Sequence, residues 1–356
     1  MRVAVLGVGL IGGSIGLASR ESGHEVVGWD LDPKVLRAAT ERGAVDRAAS
    51  SLAAAVTDSE VCFVCAPVGA LPGLVAEALA AAPDDAAVTD VGSTKLAIVD
   101  STADERFIGG HPIAGSEASG IEHARPDLFR EATWYLTPSA RSSGILYDRL
   151  HSVLVGFGAH PAATDAETHD RVMAVTSHLP HVLANVLLLR AAEQASLDSA
   201  GPGIGPSLRD ATRVAGANPA IWPDIFVSNA ETLSAEIVQL ARSLEEVSSL
   251  LGADAPREAV EAWHRRAADV RRRLLEPSLA GGPVHEMRVW VPNRPGIVAQ
   301  VALALGRGGV NITDMALAPA PDFQSGSITL WIAGDEAAER AAELIGELGF
   351  SVERPS

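Results

Sequence analysis

Three glycines near the start of the chain have the spacing of a phosphate-binding loop. The apolar segment at 3–6 predicts a buried strand, and it leads into Gly7, Gly9 and Gly12, which have G-x-G-x-x-G spacing. In such a loop the first glycine permits the tight turn from strand to helix, and the second lets the backbone approach a pyrophosphate. The third lets helix and strand pack closely. The pattern therefore predicts a dinucleotide-binding loop.

Five further positions complete the predicted cofactor site. Leu10 and Ile11 begin the helix whose positive N-terminus would hold the pyrophosphate. Asp30 ends the second predicted strand, where a carboxylate accepts hydrogen bonds from a ribose 2′-hydroxyl and repels a 2′-phosphate. Ala66 and Pro67 follow another strand, at the sheet edge where ligands bind. The cofactor predicted is NAD, in preference to NADP.

The segment GGHPIAGSE at 109–117 contains the strongest candidate for acid–base catalysis. His111 follows a predicted strand at the same sheet edge. There an imidazole can take a proton from a hydroxyl whose carbon gives hydride to NAD⁺. Ser93 and Lys95, in the segment DVGSTK at 90–95, should face the same cleft. Ser93 could hydrogen-bond the histidine or the reacting hydroxyl, whereas Lys95 is also explained as a loop cap.

A pair of histidines and an arginine are candidates for substrate binding. His178 and His181 lie on one predicted helix face, and substrate contact is favoured over metal ligation because no nearby carboxylate or cysteine completes a ligand set. No metal is predicted. Arg213 is suited to bidentate binding of a carboxylate. It could alternatively form a salt bridge with Asp210 or Glu117; Trp222 lies in the same segment as the arginine.

Composition restricts the class of protein. The 356 residues, of which 47% are apolar, suit two or three domains. A net charge of -17 argues against nucleic-acid and anionic-membrane partners. No apolar stretch reaches the roughly 18 residues of a bilayer span, and no signal peptide is evident. The two cysteines, Cys62 and Cys65, are interpreted as small buried residues. A cytoplasmic location is expected.

The elements that position these residues fall into three predicted domains. Residues 1–164 alternate strands and helices, as in a Rossmann-type doubly wound parallel sheet of an α/β protein. The predicted strands lie at 2–6, 25–29, 61–65, 87–91, 106–109 and 132–137. Residues 165–278 are predicted to be helical, with long helices over 165–194, kinked at Pro180, and over 223–251.

Two features point to association and regulation. Apolar residues from Leu233 to Leu251 alternate four- and three-residue spacings, which predicts a homodimer, although packing within one chain explains them about as well. Residues 284–356 predict the order strand, helix, strand, strand, helix, strand of a ferredoxin-like domain. Its candidate ligand-binding residues lie beside the first helix and the second strand: Asn293, Gly296 and Asn311.

These motifs, in this order, resemble the prephenate/arogenate dehydrogenase family. The matching segments lie at 9–14, 90–95, 109–117, 176–181 and 209–225. The resemblance implies an enzyme of tyrosine biosynthesis that oxidises the ring alcohol of prephenate with NAD⁺ while CO₂ leaves, giving 4-hydroxyphenylpyruvate. Arogenate, giving tyrosine directly, is the alternative substrate. It also implies a helical dimerisation domain and an ACT-like regulatory domain at 284–356 that binds tyrosine or phenylalanine.

The resemblance also assigns roles to residues. His111 matches the catalytic histidine, Ser93 its partner, and Arg213 and His181 the substrate-binding pair. Residues around the pocket entrance are matched by Glu117, Asp210 and Trp222. Two other functions are considered: another small-acid dehydrogenase, which would use a lysine where this chain has histidines, and a ligand sensor without turnover. The intact set of His111, Ser93 and Arg213 argues against the sensor.

Overall fold

The structure is a computed structural model. It describes residues 1–114, 119–195, 205–252, 256–275, 283–292, 297–310, 312–319 and 325–353. The chain forms two compact units, residues 1–243 and residues 244–356. Four predicted site residues lie outside the described residues: Glu117, Asn293, Gly296 and Asn311.

The first unit contains an eight-stranded sheet. Its strands are β1 (Arg2–Leu6), β2 (Glu25–Trp29), β3 (Arg47–Ala48), β4 (Val61–Val64), β5 (Ala87–Asp90), β6 (Phe107–Pro112), β7 (Thr133–Thr137) and β8 (His160–Ala163). They lie in the order β3-β2-β1-β4-β5-β6-β7-β8. The strand order reverses beside β1, and ligands of such sheets bind at this point, at the carboxyl ends of the strands.

One strand pair departs from the predicted parallel sheet. β6 and β7 are antiparallel, while the other neighbouring pairs in this sheet are parallel. A parallel return requires a crossover, usually a helix. The described residues between these two strands form only short 3₁₀ turns, Ile121–His123 and Pro126–Phe129. The short strands β3 and β8 are additional to the predicted ones.

Helices pack on both faces of this sheet. They are α1 (Leu10–Glu21), α2 (Pro33–Glu41), α3 (Leu52–Val56), α4 (Leu71–Ala81), α5 (Leu96–Asp100) and α6 (Gly144–Gly156). Alternate residues of β1 belong to different cores, since successive strand side chains point to opposite faces. Val3 and Val5 pack with residues of α1 and α6, whereas Ala4 and Leu6 pack with residues of α3 and α4.

The helices that follow are more interrupted than the sequence predicts. They are α7 (Ala166–Met173), α8 (Leu179–Ala195), α9 (Pro206–Ala211), α10 (Trp222–Ser228) and α11 (Ala230–Leu250), and α12 (Arg257–Leu275) lies in the second unit. A π-helical turn, Ala174–His178, joins α7 to α8. The irregularity lies just before Pro180, because proline cannot donate to the preceding turn and its ring crowds the carbonyl there.

The predicted helix over 223–251 is two helices. The buried Asn229 separates α10 from α11, and its Nδ2 donates to the carbonyl oxygen of Asp170 at 2.8 Å. An amide side chain that bonds to another element's backbone competes with regular helix geometry. The break therefore fixes α7 against the junction of α10 and α11.

The stretch Ala166–Glu193 is long and apolar enough, by length and composition, to cross a membrane. This differs from the expectation drawn from the sequence. Three buried polar side chains of the stretch, His169, Asp170 and His178, hydrogen-bond to other residues of the first unit. These interactions are those of a helix packed in a protein.

The second unit contains an antiparallel sheet of four strands. Its elements are β9 (Val284–Pro292), α13 (Ile297–Arg307), β10 (Ile312–Pro319), β11 (Ser325–Ala333), α14 (Asp335–Glu347) and β12 (Ser351–Glu353). The strands lie in the order β10-β11-β9-β12, so that the two central strands are the third and the first of this unit. Its core includes Val289, Val301, Ile328 and Ile345. The observed element order is the predicted one.

Candidate functional site

The glycine loop between β1 and α1 has three glycines with three different surroundings. Gly7 has a φ of +90°, and a Cβ there would collide with the carbonyl oxygen of Cys65. A Cβ on Gly12 would collide with the carbonyl oxygen of Gly7. In contrast, a Cβ on Gly9 would meet no protein atom within 4 Å. Packing thus explains Gly7 and Gly12, whereas Gly9 leaves space for a close-lying ligand.

The start of α1 provides hydrogen-bond donors toward that space. Gly9 is the N-cap residue of α1, and no side chain caps this helix end. The Gly13 N–H donates to the Gly9 carbonyl oxygen at 2.8 Å. The first N–H groups of a helix have no acceptor within the helix. Together with the positive end of the helix dipole, they suit a pyrophosphate. The residues of the loop therefore fit a dinucleotide.

Asp30 lies directly after β2 and holds the glycine loop in place. Its Oδ2 accepts a hydrogen bond from the Val8 N–H at 2.8 Å, and its Oδ1 accepts one from the Asp32 N–H at 2.9 Å. The carboxylate therefore connects the end of β2 to the loop. Its predicted selectivity for a ribose diol remains a prediction.

A cavity of about 880 Å³ brings most of the predicted site residues together. The sheet side of its lining includes Gly9, Leu10, Ile11, Gly12, Ala66, Pro67 and Ser93. The helical side includes His181, Arg213 and Trp222. All lie in the first unit. Predicted cofactor residues and predicted substrate residues thus share one cavity, while Gly7 and Asp30 are not among its described lining residues.

His111 lies within β6 and is not among the described residues that line the cavity; the chain reaches the lining three residues later, at Ala114. Its Nδ1 lies 2.9 Å from the Nε2 of His169. The Nδ1 of His169 in turn lies 2.8 Å from Oδ1 of Asp170. Neither partner was predicted from the sequence. The signal available was a His-Asp pair in a helix that follows the sheet, but only the fold brings it to β6.

The predicted partner of His111, Ser93, lines the cavity without a hydrogen bond to His111 among those of the described residues. Burial is the main cause that lowers the pKa of His111 well below its usual value, and the neighbouring titratable groups of His169, Lys95 and His178 lower it further. An imidazole with a lowered pKa is neutral at physiological pH. It can therefore act as a base.

Lys95 is part of a buried ion pair, not a loop cap. Its Nζ pairs with Asp90, both side chains are fully buried, and Nζ also donates to the carbonyl oxygen of Gly110 at 2.7 Å. Oδ1 of Asp90 accepts from the Gly110 N–H at 3.1 Å. The pair therefore holds both backbone groups of the residue directly before His111.

The two histidines of the segment at 177–181 have different surroundings. His178 is buried, and its Nδ1 lies 3.2 Å from Nδ2 of Asn229. It is not among the described residues that line the cavity. Burial is the main cause that lowers its pKa to about 4. Its predicted contact with substrate stays a prediction.

His181 is placed at the cavity by Trp222. The two rings are stacked with centroids 3.5 Å apart, and Nδ1 of His181 donates to the carbonyl oxygen of Ser177 at 2.9 Å. Desolvation lowers the pKa of His181, and the charge of Arg213 lowers it further. A neutral imidazole and a cation thus lie at the same wall. Asp210 is exposed and is absent from the described lining, so its predicted contact remains a prediction.

Comparisons with known proteins show the family to which the chain is similar. The family model "Prephenate dehydrogenase, nucleotide-binding domain" matches residues 15–162, and "Prephenate dehydrogenase, dimerization domain" matches residues 165–265. A prephenate dehydrogenase of Bacillus subtilis (strain 168) is 28% identical over 354 residues, covering 96% of this chain and 95% of that protein. The two models together match well over half of the chain.

Two solved structures are similar in fold. The crystal structure of prephenate dehydrogenase from Aquifex aeolicus, in complex with hydroxyphenyl propionate and NAD⁺, has a TM-score of 0.70 and 29% identity. The match covers 77% of this chain and 97% of that one. Synechocystis arogenate dehydrogenase has a TM-score of 0.69 and 28% identity, with coverage of 77% and 100%.

Proposed function

This chain belongs to the prephenate dehydrogenase family, and we propose that it is an NAD-dependent enzyme that converts prephenate to 4-hydroxyphenylpyruvate. The observation that carries the proposal is the single cavity in which the glycine loop faces His181 and Arg213. The donors at the start of α1 suit NAD⁺, and the arginine suits a carboxylate of the substrate.

NAD⁺, when bound, supplies the acceptor for the hydride of the ring carbon that carries the hydroxyl. His111 accepts the hydroxyl proton as the carbonyl develops. A neutral imidazole is an efficient general base for this proton transfer. The bond from the ring to the departing carboxylate breaks, CO₂ leaves, and the bonding electrons pass through the ring to the carbonyl oxygen, which takes the proton back from His111 and becomes the product hydroxyl. Because the product ring is aromatic, the step is downhill, and the protein must supply mainly position.

Substrate positioning is assigned to the helical wall of the cavity. Arg213 is proposed to hold the carboxylate that stays, since a grip on the departing one would oppose its loss. His181 and Trp222 form the surface beside it. Ser93 is proposed to contact the reacting hydroxyl from the sheet side of the cavity. Glu117 and Asp210 stay candidates for the entrance.

An absorbance assay for the reduced cofactor tests the proposal. The chain is given prephenate or arogenate, each with NAD⁺ or NADP⁺. We expect the highest kcat/KM with prephenate and NAD⁺, because Asp30 would repel a 2′-phosphate. Faster turnover of arogenate would show that arogenate is the substrate. The similarity to Synechocystis arogenate dehydrogenase supports this alternative. Turnover of neither substrate would contradict the proposal.

We also propose a cytoplasmic homodimer built on the helical residues. Consecutive residues of α8 are exposed in the single chain although they are apolar: Val186, Leu187, Leu188 and Leu189. The dimerization model matches this region. We divide the chain into 1–164 for the cofactor, 165–278 for substrate and dimerisation, and 284–356.

The last of these domains is proposed to be ferredoxin-like and ACT-like. The support is its element order and its strand order β10-β11-β9-β12. We propose that it binds tyrosine or phenylalanine through the region of Asn293, Gly296 and Asn311. Calorimetry with both amino acids, on the full chain and on a chain ending near Pro277, tests this. Binding that survives the truncation would place the amino acid at the active site.

A further inference from the structure

We propose that His169, oriented by Asp170, is a positioning residue that holds His111 with its proton on Nδ1 and leaves Nε2 as the base. This inference rests on the proposed function only for the role of His111 as a base. Its starting point is the continuous chain of hydrogen bonds from His111 Nδ1 to His169 and on to Asp170, with distances of 2.9 and 2.8 Å.

The far end of the chain is fixed by backbone donors. Oδ1 of Asp170 accepts the Lys95 N–H at 2.7 Å, and Oδ2 accepts the Leu96 N–H at 2.9 Å. With these donors on it, the carboxylate is an acceptor toward His169 as well. The bond between them is therefore donated by the Nδ1–H of His169.

The direction of that bond determines the next one. A neutral imidazole that donates from Nδ1 has an unprotonated Nε2. The Nε2 of His169 must then accept, and His111 must donate from its own Nδ1. The remaining nitrogen of His111, Nε2, carries the lone pair that a general base requires. The opposite direction would put a proton on that nitrogen and abolish its basic function.

Burial makes these directions persistent. His169 is 1% exposed and Asp170 is 3% exposed, so water does not compete for their hydrogen bonds. The ring of Tyr135 packs against the His169 ring in a T-shaped contact, with the centroids 5.4 Å apart and the planes at 84°. Asn229 donates to the backbone carbonyl of Asp170 and holds the helix that carries both residues. A satisfied buried network of this kind favours one geometry.

The first experiment reads the protonated nitrogens without substrate. Nitrogen-15 NMR of the histidine rings is recorded on the full chain at neutral pH, and His111→Asn identifies the His111 signals. We expect both His111 and His169 to carry their protons on Nδ1 alone. A proton on Nε2 of either ring would overturn the inference, whatever the chain does with prephenate.

The second experiment compares His169→Gln with His169→Leu. Glutamine can place an amide oxygen where Nε2 of His169 lies and accept from His111, whereas leucine has similar bulk and no acceptor. We expect His169→Leu to lower kcat about 10²- to 10³-fold, with KM for prephenate and the Kd of NAD⁺ within about twofold. His169→Gln should recover about tenfold of that loss.

The pH profile of kcat/KM is measured for the same two variants. A general structural defect would not shift this profile in one variant and restore it in the other. The titratable groups around His111 are His169 and His178 from the helices, Tyr135 from β7 and Lys95 from the sheet side, with Asp170 and Asp90 behind them. The acid limb of kcat/KM should shift in His169→Leu and return toward wild type in His169→Gln. Equal kcat in the two variants would overturn the inference. Inactivity of the wild-type chain would instead contradict the proposed function.

Discussion

Single residues show how burial and charge prepare this site for its chemistry. His111 loses solvation inside the protein, which lowers its pKa, and nearby positive or titratable groups lower it further. Desolvation also lowers the pKa of His181, and the charge of Arg213 lowers it further. The result is a site with neutral imidazoles and a permanent cation, which suits proton acceptance and carboxylate binding at once.

The first residue-scale prediction concerns pH. A base works only when it is unprotonated, and an ordinary histidine is half protonated near pH 6.5. Because the pKa of His111 is lowered, kcat/KM should stay on its plateau as the pH falls through 6.5, and should decline only below that value. His111→Asn should lower kcat about 10²- to 10⁴-fold while NAD⁺ binding is unchanged. An acid limb at or above pH 6.5 would contradict this assignment.

The second residue-scale prediction concerns Arg213, which lines the cavity and is exposed. Arg213→Ala should raise KM roughly ten- to a hundredfold, since hydrogen bonds to a charged group contribute about 1.5–3 kcal/mol. The value of kcat should change little, because a carboxylate grip acts on ground and transition states alike. Arg213→Lys should lie between, as it keeps the charge and loses bidentate geometry. A lowered melting temperature with unchanged KM would favour a structural salt bridge.

At the scale of elements, local patterns were predictable and contacts between distant elements were not. The β1 strand and the glycine loop are encoded by neighbouring residues, and the structure has them where the sequence predicts. The antiparallel β7, the π-helical turn before Pro180 and the break at Asn229 depend on long-range packing. The same holds for His169, whose partner is 58 residues away in the sequence.

The glycine loop yields a prediction at this scale, because two of its glycines serve different purposes. Gly9→Ala should leave the melting temperature unchanged and weaken NAD⁺ binding by about tenfold or more, since the added methyl group enters the ligand space. Gly12→Ala should lower the melting temperature as well, because its Cβ meets the Gly7 carbonyl. Calorimetry and thermal unfolding measure the two effects. Equal destabilisation by both variants would refute the distinction.

At the scale of the whole molecule, a strongly acidic chain exposes an apolar helix surface. A net charge of -17 favours solubility, but Leu189 of α8 is 66% exposed and Val186 is 57% exposed in the single chain. Contiguous exposed apolar surface marks an interaction site. Its position in the region matched by the dimerization model makes a second copy of the chain the expected partner.

The last prediction is that disruption of this surface separates the subunits. Leu189→Glu places a charge on the exposed face of α8, and burial of an unpaired charge in an interface is strongly unfavourable. The control is Ile145→Glu on α6, outside residues 165–278. It changes an apolar side chain that is 77% exposed. Analytical ultracentrifugation at about micromolar concentration should show dimers for the wild type and for Ile145→Glu, and monomers for Leu189→Glu. A monomeric wild type, or equal dissociation of both variants, would show that this face of α8 does not hold the dimer together.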